Sequence, residues 1–128
     1  MQPQSGDAAL TIATQMRCGE LVDVLLRHGA GVNYRNDHGI TALMCAAIGG
    51  DREAMGRLIA RGADVDAQAQ NGMTALMLAA MADDRRGIDQ LLRAGASPNL
   101  HNRFGRTALD LAQSPPCRAA LAAAGARP

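Results

Sequence analysis

The segment "GITALMCAAIGGDREAMGRLIARGADVD" (Gly39–Asp66) is followed shortly by "GMTALMLAAMADDRRGIDQLLRAGASPN" (Gly72–Asn99), and the two align without a gap. Gly39, Gly72 and Gly105 stand 33 residues apart, as do Thr41, Thr74 and Thr107, and Gly29, Gly62 and Gly95. A fixed period in this range is the mark of a stacked repeat array.

Each unit has a physical reading. In the unit from Asn36 to Gln68, the Thr41 hydroxyl suits an N-cap, and Leu43, Ala46 and Ala47 follow at helical spacing. "GGD" at Gly49–Asp51 interrupts that helix. A second helix follows, carrying Met55, Leu58 and Ile59, with Val22, Leu25 and Leu26 or Ile88, Leu91 and Leu92 in the equivalent places. Leu58 and Leu91 are therefore expected in the core. Gly-Ala after each second helix supplies a left-handed helix end, and the Asn, Asp and Gly beyond it predict a projecting hairpin.

Composition agrees with a stack. Aromatics are 2% of the 128 residues and tryptophan is absent, so Ala, Leu, Val, Ile and Met must fill the core. Alanine-rich helices bury little area each, and stability must accumulate from similar contacts between neighbours. The formal net charge is +1 with the signs interspersed, so no basic stripe points to nucleic acid. All 13 basic residues are arginine, a bacterial-like composition that fits GC-rich codons. No run is long and apolar enough for a membrane span, and "MQPQSGDAALTIATQMRCG" does not read as a secretory signal. The expected location is cytoplasmic.

Three cysteines, none in C-x-x-C spacing, argue against a disulfide framework or a zinc site. Cys45 falls in an apolar helical run and reads as core. Cys18 and Cys117 occupy the same repeat position three units apart, beyond the reach of a disulfide, whose α-carbons lie within about 7 Å. His28, His38 and His101 map to different repeat positions and predict no metal. Asp64 and Asp66 read as turn residues rather than calcium ligands. No catalytic or phosphate-binding signature is present, so no enzyme activity and no cofactor are expected.

"GITALMCAA", "GMTALMLAA" and "GRTALDLAQ", with "LLRHGAGVN", "LIARGADVD" and "LLRAGASPN", resemble the ankyrin repeat across nearly the whole chain. The resemblance implies an all-α solenoid of four helix-turn-helix units with short projecting β-hairpin loops. It forms one domain with units near 5–34, 35–68, 69–101 and 102–128, the first and last being degenerate caps. Ala42, Ala75 and Ala108 replace the family proline, and Met44, Met77 and Asp110 replace its histidine. In the fourth unit Pro115-Pro116 reads as the close of the first helix, with Leu121 alone keeping the apolar triplet.

The resemblance further implies a protein-binding surface formed by the hairpin tips and the exposed side of each first helix. Mapped onto this chain, it holds Tyr34, Arg35, His38, Ile40, Ile48, Asn71, Met73, Met81, His101, Arg103, Phe104 and Arg106. Ile40, Ile48, Met73 and Met81 form an apolar file that reads either as a contact surface or as packing between adjacent fingers. Phe104, flanked by Arg103 and Arg106, reads either as an interface anchor or as cover for the last helix pair. From Leu100 onward four Arg face the single acid Asp110, so the expected protein partner is acidic there. A non-catalytic adaptor, monomeric alone, is the expected function. The alternative is an accessory subunit packed permanently in a larger complex or homo-oligomer.

Overall fold

Threonine hydroxyls start three of the helices. Thr41, Thr74 and Thr107 each accept the backbone N–H three residues on, from Met44 (3.3 Å), Met77 (3.2 Å) and Asp110 (3.3 Å). A computed structural model describes residues 5–127. In chain order the helices are α1 (Ser5–Gln15), α2 (Gly19–Arg27), α3 (Ala42–Gly49), α4 (Arg52–Ala60), α5 (Ala75–Met81), α6 (Arg85–Arg93), α7 (Ala108–Leu111) and α8 (Pro115–Ala123). Consecutive helices pair, and α1, α3, α5 and α7 form one row while α2, α4, α6 and α8 form the other. This is an all-α repeat solenoid.

The core sits between the rows and between successive pairs. Val22, Met55 and Ile88, one repeat position, are each 0% exposed, as are Leu58 and Leu91. Two members of each second-helix triplet are thus core, and the third, Leu25, Ile59 or Leu92, is half-buried and packs against it. Met44 and Met77, at the family's histidine position, are also buried. Asp110 at the same position instead accepts the Thr107 N–H at 3.0 Å, closing a reciprocal capping box with the Thr107 hydroxyl.

The projecting loops are single tight turns, without strands among the described residues. Each is closed by two backbone bonds, one across its base, from Asn36 N–H to Ile40 O (3.1 Å), Ala69 to Met73 (2.9 Å) and Asn102 to Arg106 (2.9 Å), and one within the turn, from Gly39 N–H to Asn36 O (2.8 Å), Gly72 to Ala69 (2.8 Å) and Gly105 to Asn102 (3.0 Å). The threonine N-cap follows at the next residue and the helix at the one after, which leaves no length for a ladder. Adjacent fingers are stitched by Gln70 N–H to His38 O (3.0 Å) and Arg103 N–H to Asn71 O (2.8 Å). At Gly72, φ is +80° and an added β-carbon would lie 2.8 Å from the backbone of Asn102 and Arg103. Only glycine allows that approach.

The fourth unit departs from the expected reading. Pro115 and Pro116 occupy the first turn of α8 rather than closing α7, behind a Ser114 cap whose extended backbone suits the position before proline. The chain turns at Gly125 with φ +99°, 30 residues after Gly95 rather than 33. Three residues are missing, and α7 has four residues where α5 has seven. Cys18 and Cys117 are consequently not equivalent: Cys18 sits exposed at the α2 N-cap, whereas Cys117 lies buried inside α8, beside Leu121.

Candidate functional site

The fourth finger is held open by one side chain. The Asn102 carboxamide oxygen accepts the N–H groups of Phe104 (2.9 Å) and Arg106 (3.0 Å), fixing the tip in an Asx turn. Phe104 then stands 81% exposed, the most exposed large apolar side chain described. A groove of about 480 Å³ opens beside it, between the third and fourth fingers and the α5–α7 pair. Leu78, Met81, Leu111 and Phe104 give it an apolar lining, and Asn71, Asn102 and Arg106 stand at its rim.

This groove gathers Asn71, Met73, Met81, Phe104 and Arg106 from the twelve expected contact residues. His38, Ile40, Asn71 and Arg103 line a second depression between the second and third fingers. Ile48 is 57% exposed on α3 and Met81 53% on α5, one repeat apart. His101 faces elsewhere, beside Asn99, Thr107 and Arg127, and Tyr34 is half-buried at the foot of the first finger.

Two expected contact residues are engaged internally. Met73 is only 8% exposed, packed into the core cluster, and its sulfur accepts a hydrogen bond from Asn102 Nδ2 at 3.4 Å. The next finger covers it, so at this position the file is intramolecular packing. Arg35 donates to the Gln68 carbonyl, and Gln68 donates onward to the His101 carbonyl at 3.0 Å. Arg35 and Gln68 thus tie fingers together.

Leu78, Leu111 and Asn102 are groove residues that sequence reading missed. Leu78 and Leu111 continue the row of Ile12 and Cys45 at the repeat interval, and that regularity was the available signal. Arg103 and Arg106 form no ion pair among the described residues, whereas Arg52, Arg57 and Arg85 all do. Arg106 nonetheless contributes, after the Thr107 hydrogen bonds, to holding the Asp110 carboxyl below its ordinary range.

Two of the three thiols, Cys45 and Cys117, are poorly placed for nucleophilic chemistry. Burial raises the Cys45 pKa, against a lowering hydrogen bond with Gln15, and burial likewise raises that of Cys117. Both therefore stay protonated at neutral pH. Among the described residues no three His, Cys, Asp or Glu side chains gather as metal ligands, and no helix is long and apolar enough to cross a membrane.

No curated protein matches the chain. The family model for ankyrin repeats (3 copies) matches residues 1–69 and 44–127. With paired helices, threonine-capped starts and stitched fingers recurring through that same span, the chain belongs to the ankyrin-repeat family.

Proposed function

We propose that the protein is a non-catalytic adaptor that binds a folded partner through the finger tips and the exposed side of α3 and α5. Ankyrin repeats are in general protein–protein interaction modules, and the family is typically non-enzymatic. The main contact is the groove between the third and fourth fingers. The carrying observation is Phe104, 81% exposed beside the apolar groove and flanked by two arginines without an ion-pair partner among the described residues.

A large rigid aromatic at the centre of a contact, with arginine beside it, is the composition that dominates interface energetics. The preorganised turn loses little entropy on binding. Arg103 and Arg106 add charge-assisted bonds to carboxylates, so the partner surface is acidic where it meets them.

Affinity capture from native lysate supplies the partner, and calorimetry measures the contact. Phe104→Ala weakens binding by at least about 1 kcal/mol. Arg106→Glu weakens it further and flattens its salt dependence, with the helical signal unchanged. Unaltered affinity in the double variant moves the site to the helix side around Ile48 and Met81, or off this surface.

A further inference from the structure

Asn71-Gly72 is the only Asn-Gly pair in the chain. It stands at the tip of the turn over residues 69–73, where the turns on either side carry His38-Gly39 and Phe104-Gly105. A carboxamide carbon is an electrophile, and the peptide nitrogen that follows it in the chain is the nucleophile within closest reach. Glycine has no side chain to shield that nitrogen. The Asn71 Oδ1 accepts the Met73 N–H at 3.1 Å, closing an Asx-type ring that contains both the Asn71 Cγ and the Gly72 nitrogen.

The Gly72 proton, held on Ala69 O at 2.8 Å, keeps the two apart chemically, so the nitrogen attacks only when this turn opens. In the turns on either side one carboxamide oxygen braces two amides: Asn36 those of His38 (2.9 Å) and Ile40 (3.0 Å), Asn102 those of Phe104 (2.9 Å) and Arg106 (3.0 Å). The same position here is Ala69, which offers neither bond. One side-chain bond of this turn is made by the reacting carboxamide itself, which leaves Gln68, donating to Gly72 O at 3.0 Å, as its independent brace. Asn33, Asn36, Asn99 and Asn102 each hold at least two bonds through the carboxamide, and each precedes a bulkier residue than glycine. The reactive pair and the missing brace fall in the same finger.

We infer that Asn71 is a site of spontaneous covalent modification that unstitches the next finger when it reacts. With its proton lost to solvent, the Gly72 nitrogen bonds to the Asn71 Cγ, and the carboxamide nitrogen leaves as ammonia, giving a cyclic succinimide. Water then opens the ring, and nothing is oxidised or reduced. Attack at the side-chain carbonyl gives aspartate; attack at the backbone carbonyl gives isoaspartate, whose main chain runs through Cγ and is one carbon longer. In that product the Asn71 carbonyl has become a free carboxylate. It is the group that receives the Arg103 N–H at 2.8 Å, and Gly72 lies so close to residues 102 and 103 that an added β-carbon would be 2.8 Å from them. An extra backbone carbon does not fit that contact. The new charge also enters both depressions that Asn71 lines, one with Arg106 and the other with Arg103.

Incubation of the purified chain at mildly alkaline pH, where amide protons are lost more readily, followed by mass spectrometry of its peptides, tests this. The expected result is a gain of one dalton at Asn71, the exchange of an amino for a hydroxyl group, ahead of the other asparagines, with methyl acceptance from an isoaspartate-specific methyltransferase. Asn71→Gln, whose extra methylene disfavours ring closure, should lose both signals. Gln68→Ala should speed the reaction about fivefold and Ala69→Asn should slow it about fivefold, the worth of one net hydrogen bond in the opening of the turn. Should Ala69→Asn fail to fold, Gln68→Ala carries the test. The isoaspartyl form, separated by its charge, should show a lower urea midpoint than Asn71→Asp, which has the same charge on an unaltered backbone. Reaction first at another asparagine, none at Asn71 in the time that converts the urea-unfolded chain, a rate indifferent to Gln68→Ala, or equal midpoints would each overturn the inference. Partner binding enters none of these measurements, so the adaptor reading stands or falls separately.

Discussion

Asn33, Asp66 and Asn99 occupy one repeat position at the foot of successive fingers. The Asn33 carboxamide accepts the Asp64 N–H at 2.7 Å and donates to the Gly62 carbonyl at 3.2 Å. Asn99 repeats both bonds with Arg127 (3.0 Å) and Gly125 (3.1 Å). Asp66 accepts the Ser97 N–H at 2.8 Å, but an ionised carboxylate has no proton to give Gly95. One strut of the ladder is thus half made. Asp66→Asn supplies the missing donor and is expected to stabilise the fold by about 0.5–1.5 kcal/mol, the net value of one hydrogen bond. The urea midpoint should rise at constant m-value. A fall would show that the charge-assisted bond to Ser97 outweighs the new one.

At the level of elements, the shortened α7 depends on its ends. Four residues make a helix that cannot stand by propensity alone, and the Thr107–Asp110 box satisfies the amides that open it. The hydrogen bond from the Thr107 amide is the chief reason that the Asp110 carboxyl titrates below its ordinary range. Asp83 is lowered too, through Ser114 and then Cys117, and so ties the α5–α6 turn to the start of α8. A carboxylate whose pKa is depressed on folding contributes stability above its unfolded pKa, and that stability is lost as pH falls through the folded value. Acid should therefore loosen the C-terminal unit. Urea midpoints measured at neutral pH and again below about pH 3, under the usual aspartate range, should fall less for Asp110→Asn than for wild type. Equal falls would place the acid sensitivity elsewhere.

Over the whole molecule, what the sequence shows is whatever repeats. The 33-residue interval gave the register, the threonine caps and the core positions of the second helices, because each depends on residues within one unit. What it hid depends on neighbours. Met73 reads as exposed until the Asn102 finger is laid over it. Leu78 and Leu111 line a groove only because α5 and α7 stand side by side. Pro115-Pro116 serves equally as the stop of one helix or the first turn of the next, and the Gly125 turn decides between them.

Without tryptophan, the chain has Tyr34 as its only tyrosine, half-buried where the first unit hands over to the second. Its near-ultraviolet emission is consequently a signal from a single address. The far-ultraviolet dichroism, by contrast, sums eight helices spread from Ser5 to Ala123. Every junction is bridged, the first by Arg57 to Gly19 and the last by Ser114 to Asp83, so the two optical traces should overlay through a urea titration as one transition. An emission change that runs ahead of the dichroism would mean that the first helix pair peels away alone. The scarcity of aromatic rings makes that distinction readable without any label.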